Sequence, residues 1–401
     1  CATYECVCVD VHIYTILQKK SRSSHSIEDI FLIASAETRM EPRMSHVTLS
    51  FMIVACITVI FHLYLYLNLL FIHRSVWDRA STRPSCQWRF RSYYPGTFER
   101  AWSTEEHDVL ENVCERLAQE PFKTFVRDYM TFVLEGNASA CQDIGIEFPV
   151  PQQYSREVFS RFEYGMYCGS ESSPRQTVDV FIEPLAGLLR HPLGCLNKKY
   201  MGRKDYIIID PWAAHNLMLP VASNPLIPRK FFYFDLGASV WLKGPGGASQ
   251  SWFHKAYENI CVHFDHIYAW EMKVEPPSYV FQQIPGPIKA KYHWFNIPAS
   301  TSVGDWDNPL TIILSETRPE DFVLLKVDID NWVLEEQLIA QIRASPAIQS
   351  RIDEMFWEHH ADFYPMKRIW KKQVHTGLYL NDSIALFRDM RKQGIRVHSW
   401  V

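Results

Sequence analysis

The chain has no surplus of positive charge. Its 41 Lys and Arg stand against 45 Asp and Glu, for a formal net charge of −4. That excludes the global basic field by which many proteins hold nucleic acid. It has no internal repeat, which excludes a solenoid or a propeller. It does not begin with Met. Met40 and Met44 are candidate starts, and residues 1–46 are read as a leader that takes no part in the fold. Residues 47–72, VTLSFMIVACITVIFHLYLYLNLLFI, contain no Asp, Glu, Lys or Arg. The run exceeds the roughly 20 apolar residues that a bilayer-spanning helix needs. It is apolar on every face, which excludes a surface helix, and the lack of a clear small-residue cleavage site argues against a cleaved signal peptide. One signal-anchor helix over 47–72 is the expectation, with the membrane as a partner.

What is present is apolar and aromatic. Hydrophobic residues make up 47% of the chain and aromatics 14%, ample for one large or two ordinary packed domains. Arg74, Arg79, Arg83, Arg89 and Arg91 follow the apolar run, and Arg39 and Arg43 precede it. By charge bias alone the larger part faces the cytosol. Six cysteines after the run (Cys86, Cys114, Cys141, Cys168, Cys195 and Cys261) point to the lumen, as do the sequons Asn137-Ala-Ser139 and Asn381-Asp-Ser383. A short N-terminus, one span and a large C-terminal part is also the layout of many secretory-pathway transferases. The expected location is the Golgi or endoplasmic reticulum, with the C-terminal part lumenal.

Residues 73–100, rich in Arg, Ser, Trp and Pro, read as a stem or an irregular first packing layer. Residues 101–229 read as a mixed α/β extension. Ser103 or Thr104 is placed to cap a helix whose apolar stripe is Val109, Leu110, Val113, Leu117 and Phe122, and 124–134 reads as a second helix. VDVFIEPLAGLLRHP predicts a strand, a turn at Pro184 and a short helix stopped by Pro192. Residues 205–210, DYIIID, read as a strand, and Glu183 with Arg190 as an internal ion pair.

From residue 230 onward the pattern alternates: FFYFDL, a helix near 252–260, HIYAWE, KYHWFNI, FVLLKVDI, a helix near 333–342, RIDEMFWEHH, a helix near 383–393, and IRVHSWV. Strands alternating with helices predict an α/β fold, a mainly parallel sheet with helices on both faces. Ligands in such sheets sit at the carboxyl ends of the strands. Those ends carry Asp235, Gly237, Glu271, Asp328, Asp330, Glu358, His359 and His360. Two adjacent histidines in one strand point to opposite faces, so at most one reaches a common site. No third ligand joins them, so no metal is assigned there.

The segments DLGA at 235–238, with glycines at 244, 246 and 247, and LLKVDIDNWVLE at 324–335 resemble the FkbM-type family of class I S-adenosylmethionine-dependent methyltransferases. The resemblance spans about 230–401. Ser239 stands for the family's Asn and Trp241 for its second Gly. Asp330 stands for Glu and Asn331 for Gly. It implies a Rossmann-like methyltransferase sheet at 230–401, with 101–229 as a family-specific extension. It implies S-adenosylmethionine as cofactor, held by Asp235, Gly237, Ala238, Glu271 and Asp328, with Glu271 on the ribose hydroxyls. Asp328, His359 and His360 are the candidate catalytic groups, and the acceptor is a glycan or small-molecule hydroxyl. Two other readings remain. Asp328-Ile-Asp330 matches the metal-binding acid pair of type II glycosyltransferases, and the altered first loop is compatible with a non-catalytic binding protein.

Overall fold

The computed structural model describes residues 86–103, 159–216 and 228–401, apart from 186, 196, 201, 244–247 and 364–365, together with short pieces elsewhere. The chain divides into two units, 1–83 and 84–401. In the first, β1 (Ile13–Thr15) pairs antiparallel with β2 (Leu32–Ala34), within the stretch read as a leader. Residues 47–72 lie outside the described residues except for Val59 and His62. Among the described residues no helix is long and apolar enough to cross a membrane. The sequon at Asn137, the helix at 124–134 apart from Thr124, and the three glycines at 244, 246 and 247 also lie outside them.

The second unit opens with a three-stranded antiparallel sheet. It consists of β3 (Cys86–Tyr94), β4 (Ser160–Cys168) and β5 (Gln176–Ile182), in that order. Over Cys86–Tyr94 this corrects the stem reading, residues 73–85 lying outside the described residues. Trp88 and Phe90 turn towards the sheet's core while Arg89 and Arg91 face out, the period of two that a half-buried strand requires. Cys86 and Cys168 are cross-strand partners joined by a disulfide, and Cys114 and Cys261 are also disulfide-bonded. Helix α1 spans Thr97–Ser103, and the helix expected from Ser103 or Thr104, with its stripe from Val109 to Phe122, lies almost wholly outside the described residues.

After β5 the expected short helix is absent among the described residues. Gly187 and Leu188 take positive φ values of 66° and 56°, which a right-handed helix cannot accommodate, and a 3-10 turn follows at Pro192–Cys195. Residues 205–210 form no strand. There the Asp210 carboxylate accepts from the amides of Trp212 and Ala213 and so starts α2 (Pro211–Asn216). Glu183 does not pair with Arg190. It meets His398 at 2.8 Å and Arg391 at 3.6 Å, and accepts from the Ile208 amide.

The rest builds one six-stranded sheet. Its members are β6 (Phe231–Leu236), β7 (His266–Trp270), β8 (Tyr292–Phe295), β9 (Phe322–Val327), β10 (Glu354–Trp357) and β13 (Arg396–Ser399), in the order β13-β10-β9-β6-β7-β8. Every pairing is parallel. Between them lie α3 (Ser249–Glu258), α4 (Pro277–Gln283), α5 (Gly286–Lys289), α6 (Pro309–Glu316), α7 (Trp332–Ala344), α8 (Pro346–Gln349), α9 (Met366–Trp370) and α10 (Leu380–Lys392). A small parallel pair, β11 (Ala361–Asp362) with β12 (His375–Tyr379), flanks α9. Successive side chains divide between two cores. Phe232, Phe234, Val323 and Leu325 pack with Leu338 of α7 and Phe387 of α10. Tyr233 and Leu324 pack with Phe253 and Tyr257 of α3. Both faces are therefore covered, as a parallel sheet requires. The strand order reverses direction between β6 and β9, and a crevice opens at such a point beyond the strands' carboxyl ends.

Candidate functional site

A cavity of about 670 Å³ lies at that crevice, within the usual range for small-molecule sites. Gly237 and Ser239 follow β6, Glu271 follows β7, Asp328 and Asp330 follow β9, and Glu358 follows β10. All six line the cavity. Its acids outnumber its basic side chains, Arg190 and Lys273.

Gly237 is fixed by close approach of two strands. Its φ is +75°, and a Cβ there would stand 1.6 Å from the Asp328 carbonyl oxygen. The amides of Gly237 and Ala238 both donate to the Trp270 carbonyl, at 3.1 and 2.9 Å. Ser239 has φ +50°, the left-handed region in which Asn is the more tolerant residue. Its amide donates to Glu271 Oε2 at 2.8 Å, and the Lys273 amide donates to Oε1 at 2.7 Å. Glu271 is thereby aimed by two backbone donors, and each oxygen keeps acceptor capacity for a ligand hydroxyl.

Lys326 joins the ends of β6 and β9. Its Nζ lies 3.0 Å from Asp235 and 3.0 Å from Asp328, and donates to the Gly237 carbonyl at 3.2 Å. Burial pushes this ammonium towards neutrality, but the two carboxylates outweigh it and raise its pKa. Asp328 is held below its ordinary value because Lys326 outweighs its own burial. Burial and the neighbouring Asp328 charge instead push Glu358 up to about 8, so this acid pair holds a proton at neutral pH.

Two of the residues expected at the cofactor do not reach the cavity. Asp235 is completely buried against Lys326, and burial raises its carboxyl despite that partner. Ala238 is buried, with its carbonyl accepting from Gln250. Neither lines the cavity. In a parallel ladder Asp235 is the direct partner of Lys326, so its side chain turns into the α3 face and away from the crevice.

The two histidines diverge. His359 is buried, stacks on Trp357 at 4.0 Å and bonds Ser383 at 2.7 Å. That places it in the core and not at the cavity, and it also commits the Asn381 sequon's serine to a buried contact. His360 turns to the other side, 3.4 Å from Glu358 Oε2 and stacked on Trp370 at 4.5 Å. Burial lowers its pKa, but Glu358 and Glu335 outweigh that and raise it to about 9. Asp330 completes this corner with φ +59°, a left-handed conformation that Asp tolerates better than most residues.

Sequence reasoning missed two walls. Leu189, Arg190 and His191 arrive from the extension, with Arg190 lying 4.3 Å over the Trp400 ring. Met366, Ile369 and Trp370 of α9 close another side, and Trp370 Nε1 donates to Glu358. The EPLAGLLRHP stretch was a visible signal for the first wall, whereas α9 carries no motif. No family model, curated protein or solved structure matches this chain.

Proposed function

We propose that the protein is a membrane-anchored, S-adenosylmethionine-dependent methyltransferase acting on a hydroxyl of a glycan or small molecule. The observation that carries this reading is the acidic cavity at the β6/β9 switch point, with Glu271 aimed by two backbone amides at the end of the neighbouring strand. The donor set fits the cofactor. Ribose hydroxyls need an oriented carboxylate, and Glu271 is one. A sulfonium and an ammonium are cations, which a wall of Glu271, Asp328 and Asp330 favours and a pyrophosphate cofactor does not. When bound, S-adenosylmethionine supplies an electrophilic methyl group whose carbon–sulfur bond breaks as the acceptor oxygen bonds to carbon, the electron pair remaining on sulfur.

The chain's part is to orient and to accept a proton. Asp328, held ionised by Lys326 and partly exposed to the cavity, is the group to take the hydroxyl proton. Gly237 keeps the two strand ends together so that Asp328 and Glu271 share one cavity. Asp235 and Lys326 act as positioning groups beneath them. The residues walling the cavity from the extension and α9 are the ones to define the acceptor.

Titration calorimetry of the full chain in detergent tests the cofactor. Binding of S-adenosylmethionine is expected, weakened about tenfold to a hundredfold in Glu271→Gln. Undiminished affinity in that variant would remove Glu271 from the site. The apolar run 47–72 and the Cys86–Cys168 disulfide support anchoring in an oxidising lumen. Protein released from membranes by carbonate wash would overturn the anchor.

A further inference from the structure

We propose that Asp330, Glu358 and His360 form a site for one divalent cation on the wall of the cavity. One ligand atom from each lies within 4.8 Å of the others. Ligands on opposite sides of an ion at about 2.2 Å stand about 4.4 Å apart, so small side-chain rotations close the set. Two acids and a histidine in proximity would not be enough. The independent observation is His360 itself. Its ring is fully buried, yet neither Nδ1 nor Nε2 makes a hydrogen bond of ordinary geometry, Nε2 standing 3.4 Å from Glu358 Oε2 and Nδ1 facing no partner. Buried polar atoms nearly always have one. The ring is fixed by its stacking on Trp370 and reaches towards the two carboxylates. An ion among the three would satisfy the orphaned nitrogen and neutralise acids that otherwise crowd one another.

The backbone is arranged to the same end. Asp330 is exposed, stands at φ +59° immediately before α7, and has no ion-pair partner among the described residues. Asp328 is committed to Lys326 and does not join the set, so the acid pair Asp328-Ile-Asp330 does not act as one cradle. Two carboxylates and one imidazole, with no thiolate, suit Mn²⁺ better than a soft ion. Because Asp330 and Glu358 line the cavity, the remaining coordination positions face it and would take oxygen donors of a bound molecule.

Mn²⁺ is the probe, titrated into the full chain and read as loss of the free-ion electron paramagnetic resonance signal. One ion per chain is expected. Asp330→Asn and His360→Ala are each expected to weaken it by at least about tenfold, the loss already caused by removing partners one shell further out. Asp389→Asn, on the outer face of α10, is expected to change nothing. Asp330 is exposed, so its Asn variant tests ligation without disturbing the core, and circular dichroism verifies the fold of each variant. No saturable binding, or unchanged binding in Asp330→Asn, overturns the site. The outcome is separable from methyl transfer. S-adenosylmethionine binding without Mn²⁺ binding defeats the metal site alone, and Mn²⁺ binding without the cofactor defeats the methyltransferase reading alone.

Discussion

Gly237→Ala isolates the contact on which the cavity depends. The added Cβ would sit 1.6 Å from the Asp328 carbonyl oxygen and 2.6 Å from its carbon. Both are backbone atoms in the sheet's centre, so the strand ends must part by about 2 Å to restore ordinary contact. Parting them strains the Asp328 amide to Leu236 carbonyl bond, 3.1 Å, and the Lys326 to Gly237 carbonyl bond, 3.2 Å. These contribute about 1 and about 2 kcal/mol, and the left-handed backbone adds about 1 kcal/mol. A loss of about 4 kcal/mol follows, a large fraction of a domain's stability. Gly304→Ala is the internal control. Its φ is +81° but nothing lies within 4 Å of the position a Cβ would occupy, so it carries the backbone cost alone, about 1 kcal/mol. Urea unfolding followed by tryptophan fluorescence measures both. Equal losses in the two variants would refute the steric account and release Gly237 from its structural role.

Other outcomes follow from the same coordinates. Burial pushes Asp353 up to about 7 despite Arg229, against about 3.9 unfolded. The folded state therefore holds more protons between these values, and this group's stabilisation is full below about pH 4 and lost as pH rises to about 7. Asp353→Asn is expected to flatten the fall in unfolding free energy between pH 5 and pH 8 by about 2–4 kcal/mol, and parallel profiles in urea would sink the assignment. Cys86→Ser opens a link between residues 82 apart and is expected to cost about 2–4 kcal/mol, read as a lower midpoint that reducing agent does not lower further at this bond.

The parallel sheet was legible because its strands carry their own signal. FFYFDL and FVLLKV are buried on both faces and bounded by turns, and each became a central strand. Glu271, Asp328 and Gly237 could be placed at the crevice for the same reason, since strand ends are sequence positions. Side-chain direction was less accessible. Asp235 was assigned to the cofactor because it precedes Gly237, but pairing with Lys326 depends on the register between strands 91 residues apart. His359 and His360 differ by one position and end on opposite sides. The antiparallel strand at Cys86–Tyr94 was hidden by its arginines, which occupy only the outer face. The third member of the metal cluster comes from a different strand end, which no spacing within EHH reveals.

The expected division at 229/230 follows the alternation of strands and helices, and the buried charges cross it. Glu99 of α1 accepts from Tyr93 and Ser160 and meets Arg391 of α10 at 3.2 Å. Glu183, just past β5, holds His398 of β13, whose other nitrogen lies 2.8 Å from Glu354 of β10. Arg396 bonds Glu354 at 3.0 Å and also the Phe181 carbonyl. Burial alone would neutralise Glu354, yet Arg396 and His398 hold its carboxyl down at about 2. Removing the extension would strand the buried Arg391 without Glu99 and Glu183 and take from His398 one of its two carboxylates, a loss of several kcal/mol for each broken pair. The same extension delivers Arg190 and His191 to the cavity wall. The described residues of 84–229 therefore help to shape the cavity, and the ends of β9 and β10 are inseparable from the segment that the sequence sets apart.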